Sequence, residues 1–270
     1  METHFVPYRN SSIHYYRFGH GPQWLFCFHG YGEDGGSFEI FESLLGDVYT
    51  LIAIDFPFHG RTDWQDGLLF DTTDLLKIIN QINPAKQTLS LLGYSMGGRV
   101  AMQLVQAIPQ QVKKIVLVAP DGLHKNKWQW LSTRTHIGNR LFAFTMRNPK
   151  WMMGLMDIGG KLGLYNKSIL KFVHYYLDDA NQRTILYRRW TTMRRFRPDR
   201  GLLKQIIVSN KIPVHLLFGR YDRVILAKHG IHFSKNVGSL IQVTEIEAGH
   251  QLLREKYAPL ISQMLAEVIK

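Results

Sequence analysis

The chain has 270 residues, 45% of them hydrophobic and 12% aromatic, enough to bury one large core or a core with a smaller insertion. The formal net charge is +12, and no apolar run approaches the ~18 residues that a membrane-spanning helix requires, so a soluble globular chain is expected. The single cysteine, Cys27, excludes an intrachain disulfide and a cysteine zinc site; within the apolar stretch 24–28 it reads as a small buried hydrophobe.

Residues 1–8 show no basic region followed by an apolar one, so no secretory signal is expected and the cytoplasm is the expected location. The charge is concentrated in one part of the chain. Residues 121–200 hold 16 Lys/Arg against 5 Asp/Glu, a net +11, leaving 17 against 16, or +1, for the rest. Trp128, Trp130, Trp151 and Trp190 fall in the same stretch, which marks a compositional boundary.

In chain order, residues 4–18 hold two partly alternating apolar runs around Asn10-Ser11-Ser12 and predict an antiparallel hairpin. Residues 23–28 predict a buried strand leading into His29-Gly30-Tyr31-Gly32, with a helix from about Gly36 to Leu45. Residues 50–55 predict another buried strand, followed by a turn-rich loop over 56–62. Asp71, Thr72, Thr73 and Asp74 offer capping oxygens to a helix whose apolar face is Leu75, Leu76, Ile78, Ile79 and Ile82, ending before Pro84. A strand from Leu89 runs to a glycine-flanked serine, and 100–107 continues as a good helix former.

Residues 114–120 predict a further buried strand. Strands nearly free of polar positions, alternating with helices, predict a parallel sheet covered on both faces. The alternation breaks over 123–200, where helical stretches are punctuated at Asn148-Pro149, Gly159-Gly160 and Arg197-Pro198. It resumes with a strand over 214–219, a helix over 226–234, a strand over 240–246 and a last helix from about 251 to 269. The expected division is a core of residues 1–122 and 201–270, with a helical lid over 123–200 inserted at the strand carboxyl ends.

Gly93-Tyr94-Ser95-Met96-Gly97 is a GxSxG pattern at the corner between strand and helix, where a Cβ at either glycine would crowd the backbone. In an open parallel sheet, ligands bind at the carboxyl ends of the strands. Ser95 stands after one strand, Asp222 after Phe218-Gly219-Arg220-Tyr221, and His250 after Glu247-Ala248-Gly249. The order serine, acid, histidine with an elbow serine resembles the α/β-hydrolase family. The resemblance covers nearly the whole chain: the hairpin, His29-Gly30-Tyr31-Gly32, Asp55-Phe56-Pro57-Phe58-His59-Gly60, the elbow, the lid, Gly219-Arg220-Tyr221-Asp222 and Ala248-Gly249-His250. It implies an α/β fold with a mostly parallel central sheet, helices on both faces and an inserted helical lid. The sequence departs from the family pattern at Phe58, where glycine is common, and at Val224-Ile225, where a proline often follows the acid.

A serine hydroxyl is a poor nucleophile at neutral pH and needs a base during attack, which an imidazole supplies. His250 fits that role, and Asp222 fits the carboxylate that fixes the imidazole tautomer and stabilises the imidazolium. Asp121, after the preceding strand, is the alternative acid. The resemblance places the oxyanion-hole donors at the backbone N–H groups of Tyr31 and Met96. His29 and His59 read as structural residues bonding nearby backbone, and Asp55 as a pin for its own loop. No metal-ligand spacing is present, and neither a metal nor a cofactor is expected.

The first functional reading is a serine hydrolase cleaving a carboxylic ester or thioester through a covalent acyl-Ser95 intermediate. The alternative keeps the triad and changes the reaction. Tyr94-Ser95-Met96-Gly97-Gly98-Arg99 also resembles the elbow of the menaquinone-pathway lyases that eliminate pyruvate, in which an arginine at the place of Arg99 binds a substrate carboxylate. An alternative of another class is a small-molecule receptor using the same pocket. Trp128 and Trp190 belong to an apolar set that either lines an acyl or aromatic site or simply packs the lid. The lid arginines, Arg188, Arg189, Arg194, Arg195, Arg197 and Arg200, make a solvated helix face, or attract an anionic substrate or a membrane surface peripherally. No recognised nucleic-acid module is present, which disfavours nucleic acid as a partner; the oligomeric state is left open.

Overall fold

The computed structural model describes residues 1–124, 127–161 and 177–267, with the side chains of 127–129 and 161 outside that description. The chain divides into two compact units, one formed by Met1–Asp66, Asp71–His124 and Phe196–Lys270, the other by Gly67–Phe70 and Lys125–Arg195.

The first unit is built on an eight-stranded sheet. Its strands are β1 (Glu2–Tyr8), β2 (Ser11–Phe18), β3 (Gln23–Phe28), β4 (Tyr49–Ile54), β5 (Leu89–Tyr94), β6 (Val112–Val118), β7 (Val214–Gly219) and β8 (Ile241–Ile246). Their order across the sheet is β1-β2-β4-β3-β5-β6-β7-β8. The hairpin β1–β2 joins antiparallel to β4, and every other pairing is parallel. β4, β5 and β7 are buried along their whole length, which is why they carry almost no polar residue.

Successive side chains point to opposite faces of a strand. Leu25, Cys27, Leu92, Val116 and Leu217 therefore join one apolar cluster, shared with Ile261, Met264 and Leu265 of the last helix. Phe26, Phe28, Leu91 and Leu117, one residue out of step, are equally buried on the other face. In chain order the helices of the first unit up to the elbow are α1 (Glu42–Leu45), α2 (Thr72–Ile82) and α3 (Met96–Ala107). A capping box starts α2: Asp71 accepts from the Thr73 and Asp74 amides, while Asp74 accepts from the Asp71 amide. Tyr8 donates to Asp74 at 2.6 Å and Arg9 pairs with it at 2.9 Å, so the hairpin is tied to that helix start.

The second unit holds α4 (Lys127–Arg134), α5 (His136–Arg147), α6 (Lys150–Lys161) and α7 (Ala180–Thr192). Thr135 caps α5 by accepting from the Gly138 amide. Helix α5 packs on α7 through Phe142, whose ring lies 5.4 Å from Tyr187 and 5.9 Å from Trp190, and through Asn139, which bonds Tyr187 and Thr191. Back in the first unit follow α8 (Arg200–Ser209), α9 (Ala227–Ser234) and α10 (Ala258–Ala266).

Two expected helices are shorter than their sequence implies. Over 36–45 the chain forms a 3-10 segment, Gly35–Phe41, before the single turn of α1. The chain passes close to β4 there: a Cβ on Gly35 would stand 2.5 Å from the Ala53 carbonyl oxygen. The last helix starts at Ala258 rather than near 251, with Pro259 in its first turn. Proline has no N–H to give to the preceding turn, so it suits a helix start and not an interior. β6 likewise stops at Val118, because Ala119 takes φ +42 and Pro120 follows.

Candidate active site

The elbow between β5 and α3 is held by backbone contacts that only glycine permits. A Cβ on Gly97 would sit 1.9 Å from the Phe28 carbonyl oxygen, and one on Gly93 would sit 2.8 Å from the Gly97 oxygen. Ser95 itself takes φ +49, a left-handed conformation that costs energy in a residue with a Cβ. The surroundings hold it there: its amide donates to the Val118 carbonyl at 2.9 Å, and its own carbonyl accepts from the Gly98 and Asp121 amides, both at 2.9 Å. The ends of β3, β5 and β6 thus meet at the elbow, β3 through Gly97 and β6 through Ser95.

Three of the expected residues come together. Ser95 Oγ lies 3.0 Å from His250 Nε2, and His250 Nδ1 lies 2.7 Å from Asp222 Oδ2. A carboxylate only accepts, so Nδ1 carries the proton and Nε2 is left as the acceptor facing the serine hydroxyl. The second Asp222 oxygen accepts from the Val224 amide at 2.7 Å and the Ile225 amide at 3.0 Å. A proline at either position would remove one of these donors. Burial pushes the Asp222 carboxyl upward, but the bonds from His250, Ile225 and Val224 outweigh it and hold the group below the usual aspartate range.

Asp121 is committed elsewhere. Its carboxylate pairs with Arg99 Nη1 at 3.2 Å, and the Arg99 side chain is buried, with Nε lacking a partner. Met96 is buried at the start of α3. Tyr31 follows the loop that leaves β3 beside the elbow, its ring edge-on to His59 at 6.0 Å. Trp190 packs on Phe142 inside the second unit, whereas the Trp128 side chain lies outside the described residues.

The loops around the elbow are braced by histidines and one aspartate. His29 gives Nδ1–H to the Gly30 carbonyl at 2.8 Å and accepts from the Phe56 amide at 3.1 Å; His59 bonds the Pro57 carbonyl at 2.9 Å. Asp55 does more than pin its own loop. Besides the Arg61 amide at 2.8 Å, it accepts from Gly35 at 2.7 Å and pairs with buried His14 at 2.7 Å, so three segments share one carboxylate. Phe58, where glycine is common, takes φ +63, the conformation glycine would adopt without strain.

Two neighbours of the site carry no signal in the sequence pattern. Tyr94, the variable residue of the elbow, donates its hydroxyl to the His250 carbonyl at 3.1 Å. Glu33 follows the loop after β3, with one carboxyl oxygen buried and unpartnered. Burial pushes that carboxyl above the usual glutamate range, against the opposing pull of the Gly30 backbone and of His250 and Arg254. Among the described residues no group of three His, Cys, Asp or Glu is placed to hold a metal, and no helix is long and apolar enough to cross a membrane.

Residues 23–154 match the family model described as alpha/beta hydrolase fold. The chain is 25% identical over 258 residues to the uncharacterized hydrolase YugF of Bacillus subtilis, covering 93% of this chain and 91% of that protein. It is 30% identical over 139 residues to a pimeloyl-[acyl-carrier protein] methyl ester esterase of Aeromonas salmonicida, covering 50% of this chain and 54% of the other. Among solved structures, the thermophilic esterase of Thermogutta terrifontis superposes with a TM-score of 0.68 at 14% identity over 100% of both chains. The thioesterase domain from the curacin biosynthetic pathway superposes with a TM-score of 0.67 at 17% identity, covering 98% of this chain and 99% of that one. The sheet order, the strained serine at the end of β5 and these likenesses have one reading: the chain is a member of the α/β-hydrolase fold family.

Proposed function

We propose that the protein is a serine hydrolase that cleaves a carboxylic ester or thioester through a covalent acyl-Ser95 intermediate. The observation that carries this reading is the relay Ser95 Oγ, His250, Asp222, with heavy-atom separations of 3.0 and 2.7 Å at the ends of β5, β8 and β7. His250 Nε2 takes the hydroxyl proton as Oγ bonds the acyl carbon, and Asp222 stabilises the imidazolium. The backbone N–H groups of Tyr31 and Met96 receive the developing oxyanion, with the start of α3 adding to the favourable field. His250 then returns the proton to the leaving alcohol or thiol, and water repeats the sequence to release the acid.

Support for acyl substrates comes from the relatives, an ester esterase by sequence and a thioesterase domain by fold. The Arg99–Asp121 pair favours hydrolysis over the lyase alternative, because the guanidinium is buried and already occupied by a carboxylate of its own chain. An intact relay favours turnover over a receptor role. The test is labelling with a fluorophosphonate probe, followed by a series of esters and thioesters of increasing acyl length. Label on Ser95 and loss of turnover in Ser95→Ala are expected; label on another residue, or full turnover by Ser95→Ala, overturns the proposal.

A further inference from the structure

Among the described residues of the second unit, two helix faces have no partner within it. Helix α5 turns Asn139 and Phe142 toward α7, where they meet Tyr187, Trp190 and Thr191. The opposite face carries Ile137, Leu141 and Phe144, at the spacing i, i+4, i+7 that forms one stripe. All three are exposed, Ile137 to 83%. After Asn148-Pro149, helix α6 carries a stripe of the same spacing, Trp151, Leu155 and Ile158, all exposed, Trp151 least at 39%. Large apolar side chains scattered singly on a surface need no explanation, but two successive stripes of three do.

The charge beside the stripes says what they meet. Arg140 and Arg147 flank the α5 stripe and Lys150 opens α6, all three exposed. Within residues 136–161 the single acid is Asp157. A second copy of this chain would bring like charges together, and a neutral apolar partner would strand the cations. An interface with an acyl layer and anionic headgroups accepts both the stripes and the charges.

We propose that α5 and α6 form a docking surface for an anionic lipid bilayer. The stripes enter the headgroup–acyl boundary, and Arg140, Arg147 and Lys150 lie at the level of the phosphates. The inference stands apart from the acyl-enzyme reading, since it uses no residue of the Ser95 site.

The test is sedimentation of the full chain with vesicles of pure phosphatidylcholine and with vesicles containing phosphatidylglycerol, at low and high salt. Binding to the anionic vesicles alone, weakened by salt, is expected. Leu141→Glu with Leu155→Glu removes the apolar contact. Arg140→Glu with Arg147→Glu leaves every apolar position intact and is expected to weaken binding about 20-fold or more. Thermal melting checks that both variants fold, and the arginine variant carries the test if the leucine variant does not. No sedimentation with either lipid, equal binding to both, concentration-dependent dimerisation in place of vesicle binding, or unchanged binding by the arginine variant overturns the proposal.

Discussion

Replacing Asp222 by asparagine changes one oxygen for an amide and leaves the volume almost untouched, yet the surroundings dictate how the new side chain sits. Two amides, Val224 and Ile225, aim N–H groups at Oδ1 from 2.7 and 3.0 Å. Asparagine meets them with its carbonyl oxygen, because the flipped orientation would set its NH2 against two donors and lose both bonds. Its NH2 then faces His250 Nδ1 across a contact that is 2.7 Å in the native chain. The imidazole must accept there, so its proton moves to Nε2, which faces Ser95 Oγ, and the base is lost. In a serine protease the same substitution lowers kcat by about 10⁴ through the wrong tautomer, or about 5.5 kcal/mol, and a loss of that order is expected here. The assay is steady-state hydrolysis of a p-nitrophenyl acyl ester, with fluorophosphonate labelling as a second readout. Asp121→Asn, on the carboxylate that pairs with Arg99, is the control and should retain most of the rate. Activity of Asp222→Asn within tenfold of wild type would refute the tautomer argument. The same variant has a stability signature. The native carboxyl is held below its ordinary value, so its contribution is complete above the unfolded pKa of ~3.9 and is lost as pH falls through the folded value. Asp222→Asn removes that acid-side dependence.

Other substitutions test separate parts of the structure. Gly97→Ala forces a Cβ to 1.9 Å from a backbone oxygen that belongs to β3, and is expected to lower stability by about 3 kcal/mol or more, read by denaturant unfolding. Tyr94→Phe removes the bond to the His250 carbonyl, worth about 1 kcal/mol, and should lower kcat/KM about fivefold while the fluorophosphonate still labels Ser95. His215, buried in β7, has its pKa lowered first by desolvation and also by Lys114, against an opposing pull from Glu267. The unfolded chain therefore binds more protons there, and stability falls as pH drops below ~6.5 toward the folded value. His215→Leu removes that dependence; melting curves from pH 5 to 7 that keep the wild-type slope would count against this account.

The strands were legible because burial on both faces leaves them almost wholly apolar, and the elbow because its glycines are demanded by backbone contacts a few residues away. The placement of Ser95, Asp222 and His250 is readable for the same reason, each residue following a strand that the pattern identifies. Which of Asp121 and Asp222 reaches His250 is not. Both follow buried strands, and what separates them is the path of two loops, one closing amides on Asp222 and the other bringing Arg99 to Asp121. Over 36–45 and from 251 the apolar pattern predicts longer helices than form, since it does not report the close approach of Gly35 to β4 or a helix start fixed at Ala258-Pro259; residues 268–269 lie outside the described residues. His14 lies in β2 and Asp55 just past the end of β4, and they share no local motif, so the sequence pattern gives no sign of their buried pair. Glu33 sits in a polar run beside Asp34 that gives no hint of a buried carboxyl oxygen. The apolar stripes of α5 and α6 are present in the sequence as periodicity, but which side of α5 is covered depends on α7.

Ser95 and His250 are separated by 155 residues along the chain and are brought together only at the ends of β5 and β8. On a ribosome, Ser95 leaves the exit tunnel long before His250 has been translated. On the proposed acyl-enzyme reading, a nascent chain is therefore inert toward acyl groups, however well its first strands have paired. Turnover on that reading begins only when the outermost parallel strand, β8, docks. Turnover of a chromogenic ester consequently serves as a sensitive clock for the completion of the sheet, more discriminating than a spectroscopic signal that rises with the first helices.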